Sequence, residues 1–296
     1  MPPRLETVLI GVDLTAPSLA GAKWAATTFA PEARLVLAHA VETSPLRRFL
    51  PVRDAKRKES EVRAEAKKRL EALRDEVGAE RCRIVVAEGS PGNRLSELAR
   101  EEEADLIVVG AHREGMAGGL IGSIVSTVLG SATMPVLIAH APPAGRPKQV
   151  LVAIDESPVR SEVLAWATLL AEAFEDMTGE VLSAVQPPGV SVNTTLFSSE
   201  EEYRKTRDQI VERTRKWVRG RADNAGLDGD RFAAGAVYGR PELEIALAAE
   251  RIEADLIVLG TRGHTHGHAL VLGSVSRRVV EASTCPVLIV PPNEPR

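Results

Sequence analysis

The sequence predicts two tandem α/β units, each an open sheet of five parallel strands with helices on both faces. The first observation behind this is internal repetition. Glu103-Ala-Asp-Leu-Ile-Val-Val-Gly110 returns as Glu253-Ala-Asp-Leu-Ile-Val-Leu-Gly260, identical at seven of eight positions. Val8-Leu-Ile-Gly-Val-Asp13 answers Val150-Leu-Val-Ala-Ile-Asp155, and each Asp is followed eleven residues later by a tryptophan, Trp24 or Trp166. Gly89 and Gly239 each stand 21 residues before Gly110 and Gly260, and Gly122 and Gly273 each stand 13 residues before Pro135 and Pro286. The second observation is that the short aliphatic runs lack polar residues at alternate positions, which suits strands buried on both faces. The third is that stretches of helical spacing separate these runs, and strand–helix alternation implies right-handed crossovers into a parallel sheet.

In the first unit, strands are expected over 8–12, 35–38, 84–86, 106–109 and 136–139, with helices over 18–29, 55–77, 94–102 and 123–129. The second unit repeats the order, with helices over 161–174, 199–224, 242–251 and 275–281. The two domains are expected to span 1–143 and 147–296. The prolines and glycine of Ala141-Pro-Pro-Ala-Gly-Arg-Pro147 suit a linker between them.

A length of 296 residues fits two domains. Lys and Arg total 37 against 41 Asp and Glu, a formal net charge of −4, which argues against a general basic surface for nucleic acid. Aromatic residues make up 3%, so few rings are available to stack single-stranded bases. No apolar run approaches the ~20 residues of a membrane span, and residues 1–6 lack the apolar stretch of a signal peptide. Cys82 and Cys285 are the two cysteines and form no Cys-x-x-Cys pair, so no disulfide framework is expected and a cytoplasmic location is the natural reading.

In open parallel sheets, ligands bind beyond the carboxyl ends of the strands, where the winding reverses. After the fourth strand of the second unit comes Gly260-Thr-Arg-Gly263, then nine residues, then Gly273-Ser-Val-Ser276 opening a helix. Glycines permit close backbone approach and positive φ. Gly273 and Ser274 would offer free amides, a hydroxyl and the positive end of a helix dipole, and Arg262 could add a charge-assisted contact to an anion. On spacing alone an ordinary turn with Ser274 as helix cap fits equally well. Asp155 ends the first strand of this unit and is followed by Ser157. Its carboxylate could accept from an adenine amino group or a ribose hydroxyl, and it could equally cap the next helix.

Taken together, strand-Asp-x-Ser, Gly-x-Pro, Ala-Asp-Leu-Ile-Val-x-Gly-x-x-Gly-x9-Gly-Ser and Pro-Val-Leu-Ile-Val resemble the universal stress protein family, twice over nearly the whole chain. The resemblance implies a Rossmann-like fold of the adenine-nucleotide α-hydrolase type. It also implies an ATP site in the second unit. There Asp155 meets adenine, the backbone at Val185 reads the base edge, and Gly260 and Gly263 lie along the ribose and α-phosphate. Gly273, Ser274, Val275 and Ser276 hold the outer phosphates, with Mg2+ or Mn2+ on their oxygens. In the first unit Asp13, Thr15, Val41, Gly110, Gly122 and Ser123 occupy matching positions. Arg113 replaces the second glycine, the spacer to Gly122 is eight residues, and Val125 replaces Ser276, so weaker or absent nucleotide binding is expected there, with Gly115, Gly118 and Gly119 leaving the loop free to take another geometry. The resemblance further implies pairing of the two units, with Val136–Ala139 and Val287–Val290 as candidate contacts, and a homo-oligomer through other surfaces.

Three features have plainer readings. The alternating His264, His266 and His268 could ligate a metal from one side of an extended segment, but no Cys or acidic partner lies at ligand spacing, so a solvated loop is favoured. The basic run Arg47, Arg48, Arg53, Lys56, Arg57, Lys58 is diluted by Glu59, Glu61 and Glu65 and reads as a solvated helix start. The uncharged segment 187–199, rich in Ser, Thr and Val, reads as a mobile loop or lid beside the site. The chain contains no P-loop, Gly-x-Gly-x-x-Gly, Gly-x-Ser-x-Gly or His-Glu-x-x-His motif, and no catalytic residue is assigned. The favoured function is ATP-dependent regulation of an unknown protein partner in the stress response. A nucleotide-independent scaffold is the alternative, and a slow ATPase a weaker one.

Overall fold

The computed structural model describes residues 5–42, 52–110, 122–186, 199–261 and 272–292. The first half runs β1 (Thr7–Gly11), α1 (Ala16–Trp24, continued by a π-helical turn Ala25–Phe29), β2 (Arg34–Val41), α2 (Val52–Val77), β3 (Cys82–Glu88), α3 (Pro91–Glu101), β4 (Leu106–Gly110), α4 (Ser123–Ser131) and β5 (Val136–Ala139). The second half repeats it as β6 (Gln149–Ala153), α5 (Arg160–Ala173), β7 (Thr178–Val185), α6 (Glu200–Asn224), β8 (Phe232–Tyr238), α7 (Pro241–Arg251), β9 (Leu256–Gly260), α8 (Ser274–Ala282) and β10 (Val287–Val290). The expected helices and strands are all present, with ends shifted by a few residues where capping rather than periodicity decides them. Among the described residues no helix is long and apolar enough to cross a membrane.

The two halves are not separate sheets. Ten strands form one sheet in the order β3-β2-β1-β4-β5-β10-β9-β6-β7-β8. Pairing is parallel inside each half, and the halves meet where β5 and β10 run antiparallel, with Val287 opposite Ile138, Leu288 opposite Leu137 and Ile289 opposite Val136. Each short edge strand thereby covers the backbone groups that the other would leave open. In each half the chain winds outward from the first strand and then returns to its other side, so the winding reverses between β1 and β4 and between β6 and β9.

Alternate strand residues divide between two cores, as burial on both faces requires. Val8, Ile10, Leu106, Val150, Val152, Val258 and Leu288 pack with α1, α2, α5 and α6. Leu9, Ile107, Val109, Leu151, Ile257 and Ile289 pack with α3, α4, α7 and α8 on the opposite face. The first core is continuous across the seam: Phe29 and Phe174 stack with centroids 6.0 Å apart, and Trp24 Nε1 donates to Gly145 O at 2.9 Å.

The repeated Glu-Ala-Asp motif is structural. Asp105 Oδ2 accepts from the amides of Glu6 and Thr7, both at 2.9 Å. Asp255 Oδ2 accepts from the amides of Lys148 and Gln149 at 2.8 and 3.0 Å. Each carboxylate therefore pins the start of its half's first strand to the start of its fourth. A second matched pair closes the helix ends beneath the sheet. Arg81 donates to the carbonyls of Ala26, Val77, Ala30 and Ala33, and Arg231 to those of Ala171, Phe174 and Met177. A cation at a helix carboxyl end satisfies orphan carbonyls and complements the dipole.

Arg231→Leu strands three carbonyls in a partly buried place, so urea denaturation is expected to show a loss of about 2–4 kcal/mol. Arg231→Lys recovers less than half of it, because an ammonium cannot span the same fork of acceptors. Burial pushes the Cys285 thiol up to about 11, against an opposing effect of the Ser283 hydroxyl. The folded state thus keeps a proton that the unfolded chain releases near pH 8.5, and this group makes folding less favourable as pH rises from there towards 11. In a Cys82→Ser background, iodoacetamide alkylation of native Cys285 is expected to climb towards pH 11; a plateau reached by pH 9 contradicts the burial argument.

Candidate functional site

The winding reversal of the second half opens a crevice between the ends of β6 and β9. The parallel register pairs Ala153 with Leu259, which leaves Asp155 and Thr261 two residues further on, side by side. Ile154 N continues the ladder to Leu182 O at 2.9 Å, so the chain leaves the sheet at Asp155. Asp155 Oδ1 accepts from Ser157 N at 3.0 Å, and Arg160 Nη1 reaches the Asp155 carbonyl at 3.4 Å. Arg160 in turn lies 5.4 Å from the ring centroid of Trp217 on α6. No local sequence signal marks this clamp. Asp155 does not cap α5, whose N-cap, Val159, has no side-chain hydrogen bond.

The opposite wall is the start of α8. Gly273 is its N-cap, with φ −61° and ψ 153° and no side-chain cap. Ser274 is the first helical residue and not the cap. Gly273 thus does not use the positive φ that glycine permits, and neither does Gly122 of the first half, where φ is −56°. A Cβ at Gly122 would meet nothing within 4 Å, so neither backbone strain nor packing demands a glycine there. Gly260 and Gly110 differ: a Cβ would lie 2.5 Å from Val159 Cγ1 at the first and 3.1 Å from the Ser18 backbone at the second. These two glycines let the starts of α5 and α1, the helices that follow the neighbouring strands β6 and β1, press onto the strand ends. Gly273 N donates to Thr261 O at 2.7 Å. Ser276 Oγ donates to Gly260 O at 2.7 Å and lies 3.3 Å from Thr261 O. Its hydroxyl docks α8 onto β9, and Val125 fills the matching position with a buried side chain.

Val185 ends β7, and its carbonyl accepts from Gly239 N at 3.2 Å; the Val41 carbonyl accepts from Gly89 N at the same distance. Arg262, Gly263, Arg113, Gly115, Gly118, Gly119, the His264, His266 and His268 loop, Arg47, Arg48 and the segment 187–198 lie outside the described residues. Arg57 and Lys58 of the basic run sit on α2 and pair with Glu61 at 3.9 and 3.3 Å, the arrangement of a solvated helix face.

Two polar atoms stand out. Ser157 Oγ and Thr261 Oγ1 are buried and have no hydrogen-bond partner among the described residues, in residues that are 1% and 8% exposed. Thr261 was legible only as an unassigned position within Gly-x-x-Gly. The first half closes the same region on itself. Asp13 Oδ1 accepts from Thr15 N at 2.9 Å and from Thr15 Oγ1 at 2.6 Å. Thr15 caps α1 by accepting from Ser18 N, and Ser18 Oγ meets Asp13 N at 3.1 Å. Outside the second crevice, an open groove of about 490 Å³ runs along α8, lined by Leu272, Ser274, Arg277, Arg278 and Glu281.

Unpaired buried hydroxyls cost about 1–3 kcal/mol each, so Ser157→Ala and Thr261→Val are expected to leave stability unchanged or raise it by about 1 kcal/mol. Ser276→Ala is expected to lower it by about 1–2 kcal/mol through loss of the α8–β9 contact. Urea midpoints of the three variants without added nucleotide check the contrast.

Comparison with known proteins agrees with this architecture. The sequence pattern of the universal stress protein family matches residues 4–140 and 147–291. A universal stress protein of Mycobacterium tuberculosis, Rv2005c, is 28% identical over 308 aligned residues, covering 97% of this chain and 98% of the relative. A universal stress protein of Thermus aquaticus is 35% identical over 144 residues, which is 48% of this chain and 98% of that shorter protein. The crystal structure of a universal stress protein from Archaeoglobus fulgidus superimposes with a TM-score of 0.69 at 19% identity, covering 98% and 97% of the two chains, and supports the fold alone. Both halves match one family and together span nearly the whole sequence, so the chain belongs to the universal stress protein family as a tandem, two-unit member.

Proposed function

We propose that this protein is a cytoplasmic regulator of the stress response that binds ATP in the crevice of its second half and couples occupancy to contacts with a protein partner. The observation that carries the reading is the pair of buried, unpartnered hydroxyls, Ser157 Oγ and Thr261 Oγ1, beside a helix start with no side-chain cap. An uncapped helix start presents backbone amides and a partial positive charge, which suits the phosphates of a nucleotide. Gly273, Ser274, Val275 and Ser276 would hold them, Ser276 through its amide because its hydroxyl is already engaged. Arg262 and Gly263 would complete the phosphate side. Asp155 would accept from the adenine amino group, with Ser157 and the Val185 backbone beside it and Gly260 under the ribose. A divalent cation, Mg2+ or Mn2+, would neutralise part of the phosphate charge.

Binding rather than turnover is the assignment, since the hydroxyls of the crevice are unpartnered or bonded to carbonyls rather than to a base. The closed Asp13–Thr15–Ser18 network favours a structural first half, with Asp13, Val41, Gly110, Gly122 and Ser123 as the weaker set. It also keeps open a second reading, in which the whole chain is a nucleotide-independent scaffold.

Calorimetric titration of nucleotide-stripped protein with ATP and Mg2+, with AMP as control, tests the reading. One site per chain is expected. Ser274→Glu places a carboxylate where phosphate would sit and is expected to weaken binding by at least about tenfold, while its charge at a helix start leaves the fold intact. Gly263→Val is expected to do the same by filling the close approach, and Ser123→Glu to change little. Gly110 is unsuitable as a control, because a side chain there meets the Ser18 backbone. Two sites would overturn the assignment of the first half; no binding at millimolar ATP would leave the scaffold.

A further inference from the structure

The two halves share a backbone plan but differ on one exposed helix face. From the N-cap along α7, the exposed positions 240, 243, 247 and 250 form one stripe that holds Arg240, Leu243, Leu247 and Glu250, with Arg251 exposed beside its end. Leu243 and Leu247 are 49% and 58% exposed, the large hydrophobic residues left open to solvent among those described. The matching positions on α3 are Asn93, Glu97 and Arg100, equally exposed and polar. There Arg94 bridges Glu97 and Glu101 at 3.0 and 2.8 Å, so the first half presents an ion-paired surface where the second presents two leucines. Neither leucine supports the internal core, which α7 reaches through Ile245, Ala248 and Ala249.

The stripe is complementary to itself. Its spacing of three, four and three residues reads the same from either end, while its charges are opposite at the two ends. An antiparallel second copy, with the twofold axis passing beside Ile245, sets Leu243 against Leu247 of the other copy and Arg240 against Glu250. Reversing the order exchanges the pairs without changing them, which is the requirement of an isologous contact. Arg240 keeps exposed donors while bonding Glu242 at 2.6 Å, its side chain being 53% exposed, and Glu250 makes no ion pair among the described residues. We infer that α7 is a self-association surface, on which a second copy of this chain docks antiparallel through Leu243 and Leu247, with Arg240 and Glu250 fixing the register. The helix has eleven residues and so presents a seam of only about 16 Å. A seam of that length buries less than the about 1,200–2,000 Å² of standard interfaces, so a weak dimer under concentration control is expected.

Sedimentation equilibrium of the full chain over about 5–500 µM, without nucleotide, tests the inference at affinities of this order. The wild type is expected to show a reversible monomer–dimer equilibrium, and Leu247→Glu to remain monomeric. Arg240→Glu and Glu250→Arg are each expected to weaken the dimer by at least about tenfold, because the symmetry makes two like-charge contacts from each change. The double variant Arg240→Glu/Glu250→Arg is expected to return to within about threefold of wild type. Thermal melts of all variants separate a lost contact from a lost fold, and the rescue reads pairing directly. A wild type that stays monomeric throughout, as it would if the leucines serve a different protein, overturns the inference. So does a dimer indifferent to Leu247→Glu, or a double variant no better than the single ones.

Discussion

The antiparallel pairing of β5 with β10 is the constraint on which the rest of the molecule depends. Each half alone would end in a four-residue strand with one open edge, and fusing those edges makes ten strands into one sheet. Because the fused strands oppose one another, every parallel strand of the first half runs against those of the second. The carboxyl ends of β1 and β4 therefore point to one end of the sheet, and those of β6 and β9 to the other. The two crevices cannot face each other or share a ligand. Among the described residues the halves meet at the seam, where Phe29 meets Phe174 and where Leu137 and Leu288 are fully buried.

That geometry lets the halves diverge in function while keeping the same supports. Asp105 and Asp255 pin strand starts in the same way, and Arg81 and Arg231 close the same helix ends. Several of the differences lie at strand ends and on helix faces. Thr15 satisfies its hydroxyl with Asp13, whereas the matching Ser157 leaves its hydroxyl without a partner. Val125 fills with carbon the place where Ser276 bonds two strand carbonyls. A duplicated fold needs both copies for its seam but only one for a ligand, and the first copy has spent its polar groups on itself.

The strands were legible in the sequence because burial on both faces leaves uninterrupted aliphatic runs, and the repeat located their counterparts. Pairing at the seam was expected only through family resemblance, and its antiparallel direction was not expected, since two short runs such as Val136–Ala139 and Val287–Val290 carry no sign of direction. The arginine collars were not legible at all. The acceptors of Arg231 in Ala171 and Phe174 lie more than fifty residues away along the chain, and no local pattern records so distant a contact. The Gly-x-x-Gly-x9-Gly-Ser pattern falls at the carboxyl ends of the strands but merges distinct roles. Gly260 yields to Val159, Gly273 begins a helix, and Thr261 between them holds the unpartnered hydroxyl. Neither Gly122 nor Gly273 uses the positive φ that glycine permits, with φ −56° and −61°.

The same distinction between backbone plan and surface bears on how the second half could carry a signal. Glu242 sits at the start of α7 between Arg240, at 2.6 Å, and Arg278 of α8, at 3.5 Å. Burial works to raise its pKa, but the α7 backbone, Arg240 and Arg278 together hold the carboxyl below the usual carboxylate range. It therefore stays ionised at any physiological pH, and protonation is not the lever that would move it. A change in local charge is. The negative phosphates of a ligand at the start of α8 would compete with Glu242 for Arg278 and would alter the hold of Glu242 on Arg240, one residue before α7. The helix that would bind the nucleotide and the helix that carries the exposed leucines are thus joined by this carboxylate as well as by core packing, whereas the first half has Gly92 where Glu242 stands and joins its matching helices through Ser131 and Ser96.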